Sequence, residues 1–142
     1  MQKTGLTLIA ALVAGGTVLH VAVNAQGKTA AAGIYTAAQA KTGAATYEAK
    51  CAACHGNSLE GMGPMPPLSG ADFVATWSGQ SVGELLDKIA KTMPATDPGS
   101  MSPEESATIV AHILSTNKYP AGATALPADA DALLAVKVGT PK

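Results

Sequence analysis

Cys51-Ala52-Ala53-Cys54-His55 constrains this chain more than any other stretch, because it takes up both cysteines and sets a histidine directly behind them. Cys-x-x-Cys-His reads as a site of covalent c-type haem attachment. Two thiols one helical turn apart can each add to one vinyl group of the same porphyrin. The adjacent imidazole is then held under the iron as its proximal ligand. A thioredoxin-like redox pair would want a βαβ pattern around it, and a four-ligand zinc site would want a second ligand pair. Neither is visible, and a structural disulfide is the remaining alternative.

The N-terminus says where this chemistry takes place. Lys3 supplies a short positive start, and Leu6 to Val23 is apolar except for Thr7, Thr17, His20 and glycines. Val23-Asn24-Ala25 then offers small residues for cleavage before Gln26. Residues 1–25 thus have the layout of a secretory signal. An uncleaved membrane anchor competes with this reading, since the apolar run is near the lower limit for a span. The small-residue exit and the Ala/Gly-rich stretch behind it favour cleavage. No cysteine stands at the cut, so lipid anchoring there is excluded. Export suits the motif, because c-type haem is attached on the far side of the bacterial inner membrane. The expected location is the periplasm, with no stable membrane span once the signal is removed.

Residues 26–33 read as a flexible leader and residues 34–142 as one small domain. A core of that size is thin, and a buried haem would supply much of the missing apolar surface. Lysine is the only permanent cation and arginine is absent, with a formal net charge of -1. That balance argues against nucleic-acid binding, which needs a basic stripe. It also provides no strong long-range steering.

The domain reads as helices separated by loops. Thr36-x-x-Gln39 has the form of a capping box and predicts a helix from Ala37 towards Cys54. Gly43 lies inside it at a cost of about 1 kcal/mol against alanine, which points to close approach of another backbone. Ser81-x-x-Glu84 opens a second helix carrying Leu85, Leu86 and Ile89 and stopping before Pro94. Ser102-Pro103-Glu104-Glu105 opens a third, with Ile109, Val110, Ile113 and Leu114 on its apolar face and an end near Asn117. A short terminal helix is expected between Pro127 and Val136. No segment alternates well enough to predict a strand.

Taken together, the chain resembles the class I cytochromes c over nearly all of the mature sequence. The residues that carry the likeness are Gly33-Ile34-Tyr35-Thr36-Ala37-Ala38-Gln39-Ala40, Cys51 to Gly56, and Pro66-Pro67-Leu68-Ser69-Gly70. It continues through Phe73 to Trp77, Thr92-Met93-Pro94, Pro98-Gly99-Ser100 and Asn117 to Gly122. Within that family it is most similar to the cytochrome subunits and domains associated with quinoprotein dehydrogenases. The resemblance implies an all-α fold, a cytochrome c domain over 34–142, wrapped around one covalently bound haem c. It implies an electron-transfer protein rather than an enzyme, working with periplasmic or membrane redox proteins.

Candidates for the sixth iron ligand are Met62, Met65, Met93, Met101 and His112. Met93 is preferred: it sits where a helix breaks ahead of Pro94, and it matches the Met-Pro of the family. Met101 matches a position usually occupied by leucine, so packing is its expected role. Met62 and Met65 lie in the loop after His55 and are expected at the haem edge. His112 falls in the helix that crosses the N-terminal helix near Gly43 and Tyr47 in class I folds, so an interface role is preferred to ligation. The resemblance further implies that the Pro66 carbonyl accepts a hydrogen bond from the His55 imidazole. It also suggests that the Trp77 indole reaches a haem propionate, with plain core packing as its alternative. His55/Met93 ligation fills the iron's coordination and leaves no open position, which favours a one-electron carrier, from a quinoprotein dehydrogenase towards the respiratory chain. A haem sensor or a peroxidase-like enzyme with a labile distal methionine are the other two functions considered.

Overall fold

The computed structural model describes residues 28–142, so the predicted signal at 1–25 and its cleavage point lie outside the described residues. The described part is helical, with isolated bridges but no strand. Its helices are α1 (Ala37–Lys50), α2 (Ala52–His55), α3 (Gly70–Trp77), α4 (Val82–Thr92) and α5 (Pro103–Thr116), with short 3-10 turns at Ala30–Ala32 and Asp131–Leu133. None of these helices is long and apolar enough to cross a membrane.

Local chemistry explains where the helices start. The Ser81 and Ser102 side chains accept from the backbone N–H of Glu84 and Glu105, and both glutamates reach back to the serine N–H groups. These are reciprocal boxes, each satisfying two amides that a helix N-terminus leaves open. Thr36 differs from the prediction. Its hydroxyl accepts from Gln39 N, but the Gln39 side chain goes elsewhere, with Nε2 donating to Leu126 O (2.8 Å) and Leu126 N donating to Oε1 (2.8 Å). Half of the expected box has become a clamp on the C-terminal segment.

The first helix also ends earlier than predicted. Cys51, at φ -125° and ψ -35°, interrupts it, and α2 restarts at Ala52 to run as far as His55. The packing of α1 on α5 is the main helix pairing. It depends on Gly43, where a Cβ would stand 1.8 Å from Thr108 O and 3.1 Å from His112 Cβ. The predicted close approach is therefore real, and it is backbone against backbone. Ile109, Val110, Ile113 and Leu114 of α5 and Leu85, Leu86 and Ile89 of α4 are all buried.

Both chain ends depart from expectation. Residues 28–33, expected to belong to a flexible leader, are docked. Ala30 is buried and donates to Lys137 O (2.9 Å), while Lys137 N donates to Lys28 O (2.9 Å). The predicted terminal helix over 127–136 shrinks to the turn Asp131–Leu133. Only its last residue joins the extended pairing that follows: Val136 O accepts from Val82 N, and beyond it Val138 and Gly139 donate to Gln80 O and Ser78 O. The turn's backbone lies instead against Gly83 of α4, where a Cβ would stand 2.3 Å from Ala130 O and 2.9 Å from Leu134 N. The tail thus straps residues 28–30 to the start of α4.

Candidate haem site

The break at Cys51 gives the molecule its cleft. Cys54 N and His55 N both donate to Cys51 O (3.1 and 2.9 Å), so the motif is wound into one tight turn after α1. Cys51, Cys54 and His55 line a cleft of about 280 Å³ together with Met93, Met65 and Leu68. Ile89 of α4 and Ile109 and Ile113 of α5 make its apolar wall. Met93 arrives as the C-cap of α4, in extended conformation, just as its helix gives way to the loop of residues 94–100. Elements far apart in sequence thus deliver two thiols, an imidazole and a thioether to one apolar surface.

His55 is held in one tautomer. Its ring is buried, and Nδ1 lies 3.0 Å from Pro66 O. A carbonyl can only accept, so Nδ1 carries a proton, and in the neutral ring the lone pair is then on Nε2. No hydrogen bond among the described residues engages Nε2. Such a bond fixes the ring orientation and raises the basicity of the free nitrogen.

The alternatives for the cysteines fit less well. Both are free thiols, Cys54 exposed and Cys51 half-buried. Burial pushes the Cys51 thiol up, against the opposing charge of Lys50. A thioredoxin-like pair needs a depressed thiol, so the electrostatics run the wrong way. Among the described residues no three His, Cys or carboxylate side chains converge as a metal site, which leaves a zinc centre without a ligand set. An apolar slot bearing two free thiols and a nitrogen lone pair does fit a flat porphyrin.

Other predicted residues fall outside the cleft. Met101 is buried away from it, as its packing role requires. Met62 is exposed at the tip of the proximal loop, whereas Met65 lines the cleft. Trp77 does not line it: it ends α3, half-buried and stacked on Phe73 at 6.5 Å between ring centroids. His112 packs on the Tyr47 ring (5.3 Å, 51°) and lines a separate polar recess with Glu48, Ala52 and Asn57. Burial alone pushes the His112 pKa below the ordinary imidazole range. Tyr47 donates to Gly56 O (2.7 Å) and its pKa is pushed up to about 12, first by burial and then by nearby Cys51 and Glu60.

One residue's role at the site escaped the sequence reading. Asn117 Nδ2 donates to Leu68 O and to Ile113 O (2.9 Å each), and its Oδ1 accepts from Gly70 N (2.9 Å). It bolts the exit of the proximal loop to the end of α5. In sequence it shows as a helix C-terminus and as part of the family likeness; its burial is the signal that was missing.

Residues 38–113 match the family model described as cytochrome C oxidase, cbb3-type, subunit III, and the chain belongs to that family. It is a class I c-type cytochrome, an electron-carrying protein whose cofactor is covalently bound haem c. No curated protein matches the chain. Among solved structures it is similar to a chain in the crystal structure of the sulfane dehydrogenase SoxCD from Paracoccus pantotrophus. The two are 27% identical, with 55% of this chain and 43% of that chain covered and a TM-score of 0.48. This chain therefore spans less than half the length of that one.

Proposed function

We propose that the protein is a periplasmic monohaem cytochrome passing single electrons between redox proteins, with His55 and Met93 as axial ligands. The observation that carries this reading is the meeting of Cys51, Cys54, His55 and Met93 in one apolar cleft, with the His55 tautomer set by Pro66 O. Bound haem c supplies the one-electron chemistry. The chain's own residues supply the rest. Cys51 and Cys54 fasten the group through thioether bonds, and His55 Nε2 offers its lone pair to the metal. Met93 would offer its thioether to the same metal, a ligand that favours the ferrous state. Ile89, Ile109 and Ile113 keep water from the buried face. The electron donor is a quinoprotein dehydrogenase and the acceptor lies towards the respiratory chain; co-purification from the native host tests both assignments.

The ligand set is tested in the ferric spectrum. Wild type should be low-spin with the far-red band of methionine ligation, and its pyridine haemochrome should be that of thioether-bound haem. Met93→Ala should lose the band, lower the reduction potential and bind cyanide faster, whereas Met101→Leu should change none of these. An unchanged band in the first variant with loss in the second would reverse the assignment. A high-spin wild type that binds ligands rapidly would instead favour a sensor or a peroxidase-like enzyme.

A further inference from the structure

The loop that delivers Pro66 is closed by its own backbone. Leu68 N donates to Leu59 O (2.8 Å), and Met62 and Met65 exchange both of their N–H···O bonds (3.2 and 3.0 Å). Gly61 and Pro66 therefore face each other across a narrow turn with Gly63 at its tip. Gly61 N donates to the backbone carbonyl of His55 itself (2.8 Å). The Gly61 Cα lies so near the opposite limb that a Cβ would stand 2.7 Å from Met65 O, 2.7 Å from Pro67 N and 3.0 Å from the carbonyl carbon of Pro66. Gly61 has φ +78°, where side chains are strained in any case.

From this geometry we infer that Gly61 is a positioning residue for the proximal ligand. Its missing side chain lets the Pro66 carbonyl reach His55 Nδ1, and its N–H ties the same loop to the His55 main chain. The inference rests on the proposed ligation by His55. Any bulk at position 61 pushes the Pro66 peptide outward and lengthens the bond to Nδ1. The imidazole is then less basic, stabilises ferric iron less, and is freer to turn.

Gly63 provides the control. It too has positive φ (+56°), in the same loop, but a Cβ there meets nothing within 4 Å. Gly61→Ala and Gly63→Ala therefore share backbone strain and differ in contact with the Pro66 peptide. In holoprotein, Gly61→Ala should raise the reduction potential and speed solvent exchange of the His55 Nδ1 proton, read by NMR of the ferrous state. Gly63→Ala should leave both at wild-type values. Equal changes in the two variants, or none in either, would overturn the inference. If Gly61→Ala yields no holoprotein, the readout passes to Gly61→Ala/Pro67→Gly, whose flexible peptide can step back from the new methyl. That double variant must show a higher potential than Pro67→Gly alone, and a matching potential would refute the idea. A wild type without thioether-bound, low-spin haem would count against the ligation reading instead.

Discussion

The haem cleft and the polar recess share one stretch of chain, yet they hold their histidines in different ways. Ala49, Lys50, Cys51, Ala53, Cys54 and His55 turn to the cleft, while Ala44, Tyr47, Glu48 and Ala52 turn to the recess. In the cleft, a carbonyl at 3.0 Å dictates which ring nitrogen of His55 is bare. In the recess, His112 lies against a tyrosine ring, and burial merely favours its neutral form. Both sites withdraw a histidine ring, wholly or in part, from solvent. Only the first aims a defined lone pair at an apolar slot that also holds two thiols and a thioether. Burial makes a histidine neutral, whereas a fixed tautomer beside complementary groups makes it a ligand.

The largest test of this contrast replaces each histidine in turn. His55→Ala should abolish stable haemoprotein, because the other nitrogen base lining the cleft, Lys50, is engaged by Glu105 (2.7 Å) and Pro66 has only a carbonyl to offer. His112→Phe should retain the wild-type absorption spectrum. Loss of the low-spin spectrum in His112→Phe would break the comparison outright. A smaller effect is expected from Gly43→Ala, at the crossing beside the recess. Its methyl would overlap Thr108 O, so α1 and α5 must move apart at a cost of about 3 kcal/mol, the upper end of ordinary overpacking. Denaturant unfolding of the holoprotein measures this loss. The reduction potential should stay at the wild-type value, since Gly43 and Thr108 do not line the cleft. A potential that shifts as the fold weakens would show that the two faces are not separable.

Much of this arrangement was legible in the sequence because the relevant signals are local. Ser81, Ser102 and Pro103 fix helix starts through bonds three residues long, and a glycine in mid-helix pointed to a near backbone before its partner was known. The motif at 51–55 likewise needed no tertiary knowledge. What stayed hidden is non-local. The side chain of Gln39 has two good uses, and only the position of Leu126 decides between them. Residues 28–30 look free until Lys137 is found beside them, because their pairing runs through backbone atoms that every residue possesses. The same holds for 136–139, whose extended pairing with residues 78–82 also runs through backbone atoms. Asn117 and Gly61 matter to His55 through loop geometry, which spacing alone does not encode.

The smallest expected effect concerns proton uptake in the recess, and its sign follows from burial. The folded protein holds the His112 pKa below its ordinary value, while the unfolded chain returns it to about 6.5. As pH falls through that unfolded value, the unfolded chain gains a proton that the folded state does not yet accept, and stability drops. Once pH passes below the folded pKa, both states carry the proton and the loss stops growing. Above about pH 8 the imidazole is neutral in both states and contributes no slope. The difference in unfolding free energy between wild type and His112→Phe isolates this contribution, because other titrating groups are common to the two. That difference should be level at high pH and turn against the wild type on acidification. Glu48 also lines the recess, but burial is the only cause of the shift at His112. A difference that stays level would mean that the recess leaves His112 as well solvated as the unfolded chain does, and one that turns in favour of the wild type as pH falls would mean that the recess welcomes an imidazolium; either would break the account of His112 as a ring held by burial.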